Sequence, residues 1–303
     1  MGVLQDRVVV ITGSTRGFGL AVAHACGREG ARVVISSRTQ EAVDAALREL
    51  RGKGITAEGI ACDVSQLEPV EALGDFATRQ YGRFDVWVNN AGWAAPYGPA
   101  MHISPAMFLR TVNTNIAGTY YGSLVAMREF LPRATGKLIN VLGRGSDGRT
   151  SKNQTAYASS KAWVRAFTQS LAADYEDTGV GIYGINPGMM TTDFLTDLQV
   201  VSGYEKRLKV MPTIMRMWAK PPEAPAEKVV WLASAATDGK TSLFVSEMGM
   251  ATMAGGAVRE GVRRLLRRPA PETPMSVQAV PATLPLPNRR GPGIGPNAPG
   301  EKR

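Results

Sequence analysis

Two cysteines and two histidines among 303 residues leave this chain little material for thiol or metal chemistry. Cys26 and Cys62 lie in apolar stretches and read as buried free thiols, which argues against a disulfide framework and for a reducing compartment. With only His24 and His102 to add, a structural zinc site is excluded, and both histidines read as ordinary surface or core residues. No apolar run reaches the ~18 residues of a membrane helix. The first β-branched run begins too early to follow a secretory leader, and Asp6 stands where a myristoylation signal after Met1-Gly2 wants Ser or Thr. No internal repeat is apparent. These absences point to a cytoplasmic protein, and the 44% hydrophobic content is that of an ordinary soluble globular domain.

What is present is an alternation. Arg7-Val8-Val9-Val10-Ile11 is too short for a helix and suits a buried parallel strand. It runs into Thr12-Gly13-Ser14-Thr15-Arg16-Gly17-Phe18-Gly19, after which Leu20, Val22, Ala23 and Cys26 set a helical pattern. Glycines there permit a tight turn and close backbone approach, and the helix aims free N–H groups at the same spot. A Gly-rich turn between a strand and a helix is therefore a seat for a pyrophosphate. Further strands over residues 32–36, 55–60, 84–88, 137–141 and 180–185 each leave room for one helix. The expectation is an α/β fold, a doubly wound and mostly parallel sheet of Rossmann type, with ligands beyond the carboxyl ends of its strands.

The second strand ends at Ser37-Arg38, with no acidic residue to take a free ribose 2′-hydroxyl. Arg38 offers a cationic fork and Ser37 a small hydroxyl, a pair suited to a 2′-phosphate; Arg16 could add a second charge. NADP(H) is thus expected over NAD(H). On a helix, Tyr157 and Lys161 share one face. A free phenol titrates near ~10, and a neighbouring ammonium pulls that value down, making Tyr157 a candidate acid/base.

Taken together, Thr12 to Gly19, Asp63-Val64, Asn89-Asn90-Ala91-Gly92, Asn115, Tyr157/Lys161 and Asn186-Pro187-Gly188 resemble the short-chain dehydrogenase/reductase family in order and spacing, from residue 5 to about 247. The resemblance implies roles. Asp63 would hold the adenine amino group with Val64 beside it, and Asn90, Ala91 and Gly92 would line the cofactor trough. Tyr157 would exchange the proton with the substrate oxygen, while Lys161 would hold the nicotinamide ribose. Asn115 would anchor a water in a proton relay, a role for which Asn113 is the poorer match. Pro187, Gly188 and Thr192 would contact the nicotinamide end. It also implies a homodimer or homotetramer joined through the helices that carry Asn115 and Tyr157.

One position departs from that pattern. The family's serine at the end of the fifth strand falls here on Gly143, or on Arg144 if the loop is one residue longer. Ser146 could reach in if the flanking glycines fold the loop back, or Arg144 could polarise the substrate as a fixed cation. The leading expectation is an NADP(H)-dependent oxidoreductase with Tyr157, Lys161, Asn115 and Ser146 as its catalytic set. The alternative is an NADP(H)-binding sensor or scaffold with weakened redox activity, for which Gly143 is the supporting feature.

Residues 1–250 are expected to form the catalytic domain, with a lid over about 189–222. That lid carries Met189, Phe194, Leu195, Leu198, Tyr204, Leu208, Met211, Met215 and Trp218. With Trp93, Pro96 and Tyr97 they imply a bulky apolar ketone or alcohol, although the same residues could serve as core or subunit contacts. Residues 251–268 read as a basic helical extension and 269–303 as a Pro/Gly-rich, disordered tail holding nine of the 19 prolines. Residues 255–303 carry nine Lys/Arg and three Asp/Glu, so +6 of the total +9 belongs to the extension. Neither nucleic acid nor a membrane is the expected partner, and an anionic contact of this tail is the lesser reading.

Overall fold

Period-two runs of Val and Ile can be buried on both faces only when helices cover both sides of a sheet, and the computed structural model has that layout. It describes residues 2–271 and 275–284. In chain order the elements are β1 (Val8–Ile11), α1 (Gly17–Arg28), β2 (Arg32–Ser37), α2 (Gln40–Gly52), β3 (Ala57–Ala61), α3 (Leu67–Tyr81), β4 (Val86–Asn89), α4 (Pro105–Val112), α5 (Gly118–Phe130) and β5 (Gly136–Val141). There follow α6 (Thr155–Asp174), β6 (Val180–Asn186), α7 (Asp193–Thr196), β7 (Asp197–Val201), α8 (Met211–Trp218), α9 (Glu223–Ala233), β8 (Leu243–Ser246), α10 (Met250–Leu265) and β9 (Ser276–Val280).

Seven strands form one sheet in the order β3-β2-β1-β4-β5-β6-β8. Every pairing in it is parallel. Alternate residues divide the core. Val9, Ile11, Val33, Ile35, Val88 and Ile139 face α1, α2 and α9 on one side. Val8, Val10, Val34, Trp87, Leu138 and Ile182 meet α3, α5 and the end of α6 on the other. The sheet order reverses between β1 and β4, which opens the ligand crevice at their carboxyl ends. A buried polar rung crosses the middle strands: Asn89 Nδ2 donates to Asn140 Oδ1 at 2.9 Å, and Asn140 Nδ2 to Thr168 Oγ1 at 2.9 Å on α6.

The C-terminal region departs from expectation. Residues 276–280 of the supposed disordered tail form β9, which pairs in parallel with β7 of the lid. Ser-Val-Gln-Ala-Val is a five-residue window free of proline and glycine, and it reaches an open strand edge. Residues 285–303 of that tail lie outside the described residues. Helix α10 docks on α8 through a polar seam, where Trp218 Nε1 donates to Met253 O at 3.0 Å and Arg216 of α8 pairs with the buried Glu260 at 3.6 Å. No helix among the described residues is long and apolar enough to cross a membrane.

Candidate active site

The turn after β1 is built from inside. Gly13 has φ +61°, and a Cβ there would lie 2.9 Å from Ala91 Cα, so only glycine fits against the strand next door. Asn90 Nδ2 donates to Thr12 O and Gly13 O, both at 2.8 Å, which pins the turn to the end of β4. Thr12 Oγ1 accepts from the N–H groups of Asn90 and Ala91. Ser14, fully buried, gives its hydroxyl to Ile11 O and takes Ser36 N–H, so its side chain is spent inside the turn. Phe18 is likewise a core residue and Val64 a packing residue against Gly118. Thr15 and Gly17 stay on the cleft side of the turn, and the twelve-residue α1 opens there with no acidic group in its first turn, leaving free N–H groups for an anion.

Arg16 reaches across the mouth to Asp193 Oδ2 at 3.5 Å, an exposed pair linking the glycine turn to the lid. A Cβ on Gly17 would touch Thr192 at 3.5 Å, so the lid's base closes directly on that turn. Gly188, at φ +76°, turns the chain after the buried Pro187 into the lid. Ser37 ends β2 and the exposed Arg38 follows it, and Asp63 follows β3 with its Oδ1 taking both the N–H and the hydroxyl of Ser65.

The catalytic candidates converge under this rim. Asn115 is fully buried in a π-helical stretch, Asn113–Ala117, between α4 and α5. Its amide accepts from Trp93 N–H at 2.8 Å and donates to Trp93 O and to Ser160 Oγ. Ser160 Oγ in turn donates to Tyr157 O at 2.7 Å, so α6 is registered to α5 through one hydroxyl. A Cβ at Gly92 would sit 3.6 Å from Asn115 Oδ1 and 3.7 Å from Lys161 Nζ, which brings the amide and the ammonium to one point. Lys161 Nζ donates to Val141 O at 2.8 Å and lies 6.0 Å from the Tyr157 ring centre. Burial lowers the Lys161 ammonium to about 8. Burial also holds the Tyr157 phenol well above its usual range. This reverses the expected direction for the tyrosine: the ammonium is engaged by a main-chain carbonyl, and loss of water around the phenol outweighs its pull.

Gly143 lies against the phenol: a Cβ there would be 2.5 Å from Tyr157 Oη. The loop does turn back, with Gly145 at φ +94° and Ser146 N–H donating to Gly143 O at 3.1 Å, and Ser146 is buried. Arg144 is exposed, and its Nε donates to Ser151 Oγ at 3.2 Å. Above the phenol stands Phe194 of α7, ring centres 5.6 Å apart. Most other apolar lid residues are occupied among themselves. Val200, Leu208, Met211 and Met215 form a small core joined by Leu195, Leu198, Tyr204 and Tyr97. Sequence reasoning passed over Ser160, Asn140 and Arg110. The first two are polar residues that could have been flagged only by knowing which strand or helix faces them.

A parallel sheet with a glycine turn at its switch point carries, on the same rim, a partly exposed Tyr157 beside the buried Lys161, the layout of a nucleotide-dependent oxidoreductase. The family model for short chain dehydrogenase matches residues 7–200, and the chain belongs to that family. Its relatives include 3beta-hydroxysteroid dehydrogenase 1 of Eggerthella lenta, 33% identical over 80% of this chain and 93% of that protein. A single-substitution variant of actinorhodin polyketide ketoreductase solved with NADPH is 27% identical, with a TM-score of 0.73 over 82% of this chain and 98% of its own. The 3-ketoacyl-(acyl-carrier-protein) reductase of Brucella melitensis, solved with NADH, is 26% identical, with a TM-score of 0.73 over 82% and 99%. The chain is an oxidoreductase acting between alcohols and ketones with a nicotinamide cofactor.

Proposed function

We propose that the protein is an NADP(H)-dependent reductase of bulky apolar ketones, with Tyr157 as proton donor. The observation that carries this reading is the geometry at Tyr157: its ring centre lies 5.6 Å from that of Phe194 and 6.0 Å from Lys161 Nζ, and its hydroxyl lies against Gly143. A protonated donor beside a hydride source suits reduction; oxidation would need the phenolate. When bound, the cofactor supplies the hydride from nicotinamide C4. This chain's own residues do the rest: Lys161, beside Gly92 and Asn115, orients the ribose end, the first turn of α1 receives the pyrophosphate, and Asp63 and Arg38 hold the adenosine end. Pro187, Gly188 and Thr192 flank the nicotinamide, and Phe194 packs over the phenol. The cofactor assignment draws on Arg38, which ends β2 where an acidic residue would serve NAD(H).

Gly143 does not favour the sensor or scaffold reading. A Cβ at position 143 would lie 2.5 Å from the phenol oxygen, so a side chain there would crowd Tyr157, and the buried Ser146 on the folded-back loop serves as the second donor. Residues 1–250 act as the catalytic domain, with 251–268 as a helical extension. Exposed Phe108, Leu109 and Tyr120 give α4 and α5 an apolar face for a second subunit. The buried free thiols, both raised to about 12 by burial, suit a cytoplasmic setting.

The test is NADPH consumption by wild type and Tyr157→Phe over a panel of hydrophobic and polar ketones. Consumption fastest on bulky apolar ketones and lost in the variant supports the reading. Tight NADPH binding with no turnover of any ketone overturns it.

A further inference from the structure

A pocket of about 250 Å³ lies beyond the ends of β2 and β3, walled by Arg38, Asp63 and Ser65 on one side and by Arg110, Asn113 and Thr114 on the other. Arg110 comes from the last turn of α4, and no motif points to it. Its guanidinium carbon sits 4.5 Å from the centre of the Trp93 ring. A guanidinium held over an aromatic ring can keep N–H donors available for oxygen atoms. Among the described residues, neither Arg38 nor Arg110 has a carboxylate within ion-pair distance, whereas Arg16, Arg83 and Arg133 each do. Burial and the charge of Arg38 both hold Arg110 below the usual arginine range, with only partial relief from Asp63. Asp63 is itself partly engaged, since Ser65 donates twice to its Oδ1. The pocket thus presents two cations and one carboxylate, an arrangement that an anion of two charges would relieve.

We propose that Arg110 is a specificity-determining residue that joins Arg38 in holding the 2′-phosphate of NADP(H), closing the phosphate site from the α4 side. The inference rests on the NADP(H) reading above. A brace for Trp93 would need the stack alone; the convergence of two unpaired guanidinium groups on one pocket is what the phosphate explains. Because Trp93 also clamps Asn115 through its backbone, the same stack ties the phosphate end of the trough to the proton-relay end.

The experiment measures dissociation constants of NADPH, NADH and 2′,5′-ADP for wild type, Arg110→Gln and Arg110→Lys, with near-UV circular dichroism to confirm folding. The expected result is at least a tenfold weakening of NADPH and 2′,5′-ADP in Arg110→Gln, NADH within twofold of wild type, and partial recovery in Arg110→Lys. Equal weakening of NADPH and NADH would reduce Arg110 to an adenine or Trp93 contact and overturn the proposal. So would a wild-type preference for NADPH that Arg110→Gln leaves intact; the cofactor reading survives that result. A wild type that binds NADH as tightly as NADPH overturns both.

Discussion

The two halves of the cleft are built on opposite plans. On the cofactor side, most functional groups follow directly from strand ends, with Arg110 and Lys161 added from α4 and α6, and the turn after β1 is fixed by bonds from Thr12 and Asn90 a few ångströms away. On the substrate side, the lid draws its small core from residues 189–219, from Tyr97 and from Met275, and its strand β7 is completed only by β9. Position on the cofactor side is therefore a property of the sheet, whereas position on the lid side depends on distant pieces of chain meeting. Damage to one side should leave the other nearly intact.

The sharpest break is at the phenol. Tyr157→Phe should lower reductive turnover by about 10²–10⁴-fold, the usual worth of a positioned proton donor, while the NADPH dissociation constant stays unchanged. Ser146→Ala should lower turnover about a hundredfold, on the order of 3 kcal/mol, again without changing cofactor affinity; unchanged turnover would remove Ser146 from the site. Removing residues after 271 deletes β9, and the prediction is a loss of about tenfold in kcat/KM, or about 1.4 kcal/mol, on bulky ketones. Cofactor affinity in that truncation should hold, and a parallel loss of NADPH binding would show that the halves are not separable. The pH profile sharpens the same division. Lys161 carries its charge below about 8 and loses it above. Tyr157, raised by burial, stays protonated across that range, so reductive kcat/KM should fall as pH rises through about 8. A profile flat to pH 10 would mean that the Lys161 charge is not used. The smallest effect is expected for Arg16→Ala, whose exposed pair with Asp193 should contribute under about 1 kcal/mol to thermal stability.

The same contrast governs what could be read from the sequence. The first six strands of the parallel sheet were legible because short continuous Val/Ile runs and the turns after them are local signals. The glycine turn and the Tyr157/Lys161 spacing are likewise local signals, whereas Asp63, Asn90 to Gly92 and Asn115 were singled out by the family resemblance. The direction of the tyrosine shift was not legible, since it depends on how much water Phe194 and Gly143 leave around the phenol. Nor was the small core of the lid: a methionine that fills a gap and a methionine that meets substrate look alike in one dimension. Arg110 and β9 were hidden by distance along the chain, for each acquires its meaning from a partner on another element.

The pairing of β7 with β9 sets a clock on biosynthesis. Gln199 and Gln278 face each other across that ladder, 79 residues apart. At ~5–20 residues per second of synthesis, roughly 4–16 s pass between the making of one strand and the making of its mate. Before β9 is made, β8 can complete the main sheet while β7 still offers an unpaired edge, the kind of edge on which nascent chains stick to one another. A nonsense codon late in the gene would prolong that interval indefinitely, and its product would be a folded nucleotide-binding body with an adhesive rim.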